Sequence, residues 1–153
     1  MIWFAVLTGL RRGEMLALRR DQLKGDILAL ESTTKTGRPR SLPLPPRAAR
    51  MAAKRLPWGV APHTLRDRFE EARRAAGLPH VHWHDLRHTY ASWLAQAGQP
   101  MGAIRDLMGH SSMAVTNRYA HLAPSHLRAA VASLPGGVMV GKKTTTRGSA
   151  GSR

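Results

Sequence analysis

Glycine and proline cut this chain into short pieces, and the longer pieces carry apolar residues at helical rather than strand spacing, which confines the fold to short packed helices. Pro45-Pro46 opens an Ala-rich segment to about Leu56, broken by Pro57-Trp58-Gly59. In residues 64–76, Leu65, Phe69, Ala72 and Ala76 form one stripe that Gly77 stops. Residues 84–97 carry a second stripe, Leu86, Tyr90, Trp93, Leu94 and Ala97, ended by Gly98. Pro100 starts a helix through Met108 and Gly109 ends it; Ser111 or Ser112 is placed to cap one more, bearing Tyr119. Pro124 precedes a last Ala-rich helix over 125–134. Upstream, residues 1–7 read as the end of a buried helix, Gly9 interrupts, and 13–18 read as a second short helix with Glu14 in its first turn. Residues 27–30 and 42–44 are strand-like, separated by a polar Gly- and Pro-containing stretch suited to a hairpin tip, with Pro43 confining its strand to an edge. The expected fold is mainly α with a small antiparallel β-hairpin or sheet (α+β).

Composition narrows the function. With 153 residues and 42% hydrophobic content, the chain has room for one domain with a real core. It carries 24 Lys+Arg against 9 Asp+Glu, and setting aside Lys142, Lys143, Arg147 and Arg153 still leaves 20 bases, so the folded part is itself basic. A polyanionic partner is expected. Zero cysteines exclude a disulfide scaffold and a thiolate zinc site. The longest apolar run, Met1 to Leu7, is far short of the roughly 20 residues of a membrane helix, so a cytoplasmic protein with no membrane partner is expected. That run begins abruptly, as though an N-terminal piece were missing. Residues 135–153, rich in Gly, Thr, Ser, Lys and Arg, read as a flexible basic tail after a domain over 1–134.

Taken singly, the polar residues that stand out have ordinary readings. His84, Arg87 and His88 cluster on a side of their helix away from the apolar stripe, which describes a solvated basic face or a His–Arg pair addressing one anionic group. Arg11 sits at a bend three residues before Glu14, which reads as an ion pair. Lys35 is a loop charge at the hairpin tip, His110 a junction residue, and Tyr119 a half-buried aromatic beside Arg118 and His121.

Together they read differently. The stretches Thr8-Gly9-Leu10-Arg11-Arg12-Gly13-Glu14, Lys35-Thr36-Gly37, His84-Asp85-Leu86-Arg87-His88-Thr89, Leu107-Met108-Gly109-His110-Ser111-Ser112 and Arg118-Tyr119-Ala120-His121 resemble, in order and context, those of the tyrosine recombinase (phage integrase-like) family. The resemblance spans about residues 1 to 130 and implies the catalytic-domain fold of the DNA breaking-rejoining enzymes. It implies catalytic roles for Arg11, Lys35, His84, Arg87, His110 and Tyr119, with Glu14 and His88 as supports. Tyr119 would attack a DNA phosphodiester, forming a 3′-phosphotyrosyl link; His84 would take its proton, Lys35 would protonate the 5′-oxygen, and Arg11, Arg87 and His110 would hold the phosphate. No cofactor and no metal are implied. The implied partners are double-stranded DNA and, on it, a homo-oligomer of four protomers linked by exchange of a C-terminal helix, for which residues 125–134 are the candidate. Set against the family's usual pattern, an N-terminal DNA-binding domain is expected to be missing here.

Three other readings stay open. The run His80, His82, His84, His88 invites a metal, although it lacks the Glu of a His-Glu-x-x-His site. A type IB topoisomerase would use similar chemistry. A truncated, inactive DNA-binding remnant or regulator would keep the residues without the means to hold DNA.

Overall fold

A computed structural model of the chain describes residues 1–31 and 39–124. Seven α-helices lie within these residues: α1 (Ile2–Thr8), α2 (Arg12–Leu16), α3 (Pro46–Arg55), α4 (Pro62–Ala75), α5 (Trp83–Gln96), α6 (Met101–Met108) and α7 (Met113–Asn117). Between α2 and α3 lie strands β1 (Leu23–Lys24), β2 (Ile27–Leu30) and β3 (Arg40–Pro43), paired antiparallel in the order β1-β2-β3. The mainly helical architecture with a small antiparallel sheet is as expected, with the two-residue strand β1 added. The hairpin tip with Lys35 and the helix and tail expected beyond residue 124 lie outside the described residues. No helix among the described residues is long and apolar enough to cross a membrane.

Strand alternation sets which side of the sheet faces inward. Leu28 pairs with Leu42 and Leu30 with Arg40, so Leu28, Leu30 and Leu42 are buried while Ile27 and Ala29 face out. Pro43 closes β3 at the edge of the sheet, where its missing N–H breaks no ladder. These leucines join Phe4 and Ala5 of α1, Met15 of α2, and Ala48 and Ala52 of α3 in the larger core. Each large side chain fully buried there contributes about 1.5–3 kcal/mol. A second, smaller core holds Ala91 and Ala95 of α5, Ile104 and Met108 of α6, and Tyr119.

Helix α5 joins the two cores, and here the sequence reading needs correction. Its buried residues are Arg87, Ala91 and Ala95, whereas Trp93, placed in the expected apolar stripe, is 48% exposed. Two alanines at i, i+4 spacing pack against Ile104 and Met108 of α6, and a face of small residues lets that helix approach closely; large Trp93 is left outside. The face expected to be solvated is thus partly the packed one, and Arg87 is 3% exposed.

Candidate active site

The site gathers where α1, α5 and α6 end or cross. A helix leaves its last carbonyls without intrahelical partners, and its C-terminus favours positive charge. Helix α6 ends at Gly109, in the left-handed region at φ +62°, and three consecutive carbonyls there each receive one guanidinium. Arg40 Nε donates to the Leu107 carbonyl at 3.2 Å, Arg87 Nη2 to that of Met108, and Arg11 Nη2 to that of Gly109 at 3.2 Å. Helix α1 ends the same way at Gly9, φ +62°, whose carbonyl accepts from Arg87 Nη1 at 2.5 Å. Both glycines are required twice over. A Cβ on Gly9 would stand 2.3 Å from the Tyr90 ring, and one on Gly109 would stand 2.6 Å from the Arg40 guanidinium.

Glu14 is the carboxylate of this cluster. It accepts the Arg11 backbone N–H at 2.8 Å, opening α2, and Arg11 Nη1 at 3.0 Å. Both terminal nitrogens of Arg40 also reach it, at 3.1 and 3.2 Å. Burial pushes the Glu14 carboxyl pKa up, but the hydrogen bonds from Arg40 and Arg11 outweigh it and hold the group below the usual value. Arg87 differs: its two hydrogen bonds go to neutral carbonyls, and among the described ion pairs none includes it. Burial, reinforced by the positive charge of Arg11, lowers its pKa to about 10, so it stays charged at neutral pH. The result is a buried cation with no acid in direct contact, beside a half-exposed Arg11.

The histidines and the tyrosine complete the arrangement. Tyr119 is 5% exposed and packs in the smaller core, and its hydroxyl lies 2.5 Å from His88 Nδ1. His84, one turn earlier on α5, meets the edge of the His88 ring at 4.7 Å between centroids, and it is His88 that touches the tyrosine. Burial, then the charges of His88 and Arg87, lowers the His84 pKa. His110 Nδ1 lies 2.9 Å from Oγ1 of fully buried Thr116, and burial followed by the charge of Arg87 lowers the His110 pKa to about 4. Burial raises the Tyr119 pKa against the opposing charges of Arg118 and Arg87.

Of the residues singled out in the sequence, Arg11, Glu14, Arg87, His88, His110 and Tyr119 are thus brought together, with His84 edge-to-face against His88 at their margin. Lys35 lies outside the described residues. Tyr119 is not carried on a helix as expected: α7, capped by the Ser112 hydroxyl, ends at Asn117, and Tyr119 occupies the turn before a 3₁₀ segment, Ala120–Leu122. Arg40 and Thr116 went unnoticed in the sequence. Arg40 falls in the polar stretch between the two strand-like segments, and only the β2–β3 register delivers it to Glu14; Thr116 has no local pattern to mark it. Among the described residues no group of three or more His, Asp or Glu side chains is placed to hold a metal ion.

Fold and site together define a class: a mainly helical catalytic-domain architecture in which arginines, histidines and one tyrosine converge on the end of a short helix. Known proteins are similar to this chain in sequence and fold. Residues 60–126 match the phage integrase family. The integrase of Salmonella phage P22 is 48% identical over 59 residues, 39% of this chain and 15% of that protein. The tyrosine recombinase XerC of Rhodospirillum centenum is 30% identical over 138 residues, 78% of this chain and 40% of the relative. The solved catalytic domain of bacteriophage HP1 integrase superposes with a TM-score of 0.66 at 29% identity, covering 85% of this chain and 77% of that one. Residues 60–126 thus carry a match to the phage integrase family, and over 78% of its length the chain is similar to tyrosine recombinases. It spans less than half the length of these curated relatives.

Proposed function

We propose that the chain is the catalytic domain of a site-specific DNA recombinase, over residues 1–134, which cuts and rejoins DNA in the cytoplasm through a phosphotyrosyl intermediate. The observation that carries this reading is the hydrogen bond of the Tyr119 hydroxyl to His88, one residue from an Arg87 that is charged, buried and without an acid. A phenol with a raised pKa is a weak nucleophile until a base takes its proton. His88 Nδ1 is in contact to do so, which shifts to His88 the role first assigned to His84. A DNA phosphate would supply the anion that Arg87 lacks.

In the proposed step the Tyr119 oxygen forms a bond to phosphorus and its proton passes to His88. The bond from phosphorus to the 5′-oxygen breaks, and that oxygen takes a proton from Lys35. Arg11 and Arg87 hold the nonbridging oxygens as charge gathers on them, and their fixed forks suit that task. His110 is neutral at pH 7, its pKa lying near 4. In the tautomer this step requires, the Thr116 hydroxyl donates to Nδ1 and Nε2 of His110 carries the hydrogen that the phosphate would accept. Bond energy passes from one phosphodiester to the next, so no nucleotide is consumed. The site residues, the tail over 135–153 and a four-protomer assembly on DNA rest on the family resemblance.

The deciding experiment mixes the protein with nicked duplexes from a randomised library, at low salt in EDTA, and looks for a protein–DNA band that survives denaturant. The expected outcome is an adduct for the wild type and none for Tyr119→Phe, with DNA still shifted by both. A DNA shift with no adduct in either would assign the chain as a binding remnant; cleavage lost in EDTA and restored by a metal would overturn the role given to the two arginines.

A further inference from the structure

Arg40 opens β3, where it pairs with Leu30, and its side chain crosses to the helix end that carries the site. Each of its three side-chain nitrogens is engaged within the protein: Nε donates to the Leu107 carbonyl at 3.2 Å, Nη1 to Glu14 Oε1 at 3.1 Å and Nη2 to Glu14 Oε2 at 3.2 Å. The side chain is 11% exposed, so its fork faces the protein and is not offered to a phosphate. Its partners are those of Arg11. The same carboxylate accepts from Arg11 Nη1 at 3.0 Å, and Gly109, two residues beyond Leu107, accepts from Arg11 Nη2 at 3.2 Å. The Arg40 guanidinium also fills the space over Gly109, where a Cβ would stand 2.6 Å from Nη1. Arg11, by contrast, has a side chain 43% exposed, open to a ligand.

We infer that Arg40 is a positioning residue of the proposed phosphate clamp: by gripping Glu14 and the end of α6, it fixes the Arg11 guanidinium and keeps Glu14 from neutralising it. This rests on the proposed catalysis. Apart from Arg40, the described partners of Glu14 are the backbone N–H and Nη1 of Arg11, so without Arg40 the whole carboxylate charge would fall on that one cation. A second fork, with one terminal nitrogen on each oxygen, shares the charge between two guanidiniums and fixes the plane of the carboxylate. Arg11, Arg40 and Arg87 then stand around one acid, and the excess of positive charge is left for the nonbridging oxygens as negative charge gathers on them. Lysine in place of Arg40 would restore the charge but not the three-point grip.

The test measures, for the full chain with Arg40→Met and with Arg40→Lys, the rate of covalent adduct formation on a saturating nicked duplex and, separately, the affinity for that duplex. Expected for both variants is a rate lowered on the order of 10–100-fold, with affinity within about threefold of wild type because Arg40 is not a DNA ligand. In an Arg11→Lys background the same substitutions should cost less than about threefold, since the group they position is gone. An equal loss in both backgrounds marks a structural effect only and overturns the inference, as does a wild-type rate in Arg40→Met. Circular dichroism establishes that each variant is folded; if Arg40→Met is not, Arg40→Lys carries the comparison. A second measurement needs no cleavage. In nitrogen NMR spectra of the cooled protein, the two Nη groups of Arg11, each held by its own acceptor, should give separate resonances that merge in Arg40→Lys as rotation about the Nε–Cζ bond is freed. Resonances already merged in the wild type, or unchanged in the variant, overturn the inference. Failure of the wild type to form any adduct removes the proposed catalysis, and these resonances then decide whether Arg40 positions Arg11.

Discussion

Folding takes Arg87 out of water and gives it only two carbonyls in return, those of Gly9 and Met108. A guanidinium spans both because its nitrogens diverge in a plane; a lysine ammonium at the end of a flexible stem does not. Arg87→Lys should therefore leave the chain folded and cut the rate of covalent adduct formation on the order of 100-fold, the loss typical of one misplaced donor to a transition-state oxygen. The two neighbouring histidines separate in the same assay. His88 contacts the Tyr119 hydroxyl and in the proposed step accepts its proton, so His88→Gln should slow adduct formation more than His84→Gln does. Equal or greater slowing by His84→Gln would return that role to His84.

At the scale of elements, the site is held by two helix ends. Gly9 and Gly109 each combine a left-handed backbone with a neighbour pressed where a Cβ would stand. Gly9→Ala adds about 1–2 kcal/mol of backbone strain to about 1–3 kcal/mol of overpacking against the Tyr90 ring. For a chain of this size that corresponds to a loss of roughly 5–15 °C in Tm, measured by thermal melting. Gly109→Ala should cost less, because what it meets is the far end of the Arg40 side chain. In an Arg40→Ala background the Gly109→Ala penalty should shrink further, a coupling that a double-mutant cycle reads directly.

For the molecule as a whole, the concentration of positive charge sets the response to pH. His110, with its pKa at about 4, and His84, also lowered, are kept neutral by burial and by the arginines around them. In the unfolded chain both titrate near the ordinary value of about 6.5. Between those limits the unfolded state binds more protons, so stability is fully present above about pH 6.5 and is lost progressively as pH falls toward 4. Glu14, held below its usual value, adds a further loss only below the ordinary carboxylate range. Urea midpoints measured from pH 7 to 4 should fall, and His110→Asn should flatten the decline above the carboxylate range.

Sequence alone determined the mostly helical class, the strand over residues 27–30, the helix stops at Gly98 and Gly109, and a set of residues whose order and contexts resemble one family. Those features are local: proline and glycine act on their own dihedrals, apolar spacing acts within one helix, and a motif is read along the chain. The partners of the charged groups were beyond it. Arg87 looks solvated because helical periodicity gives the apolar face to Trp93, and only the packing of α6 on Ala91 and Ala95, with the Gly9 and Met108 carbonyls as acceptors, turns it inward. Arg40 reaches Glu14 across 26 residues through strand pairing, and His88 reaches Tyr119 across 31 through helix packing. Which imidazole touches the Tyr119 hydroxyl, and which guanidinium has no acid in contact, is decided by such contacts between distant segments, because the energy of a buried charge depends on what the fold sets beside it.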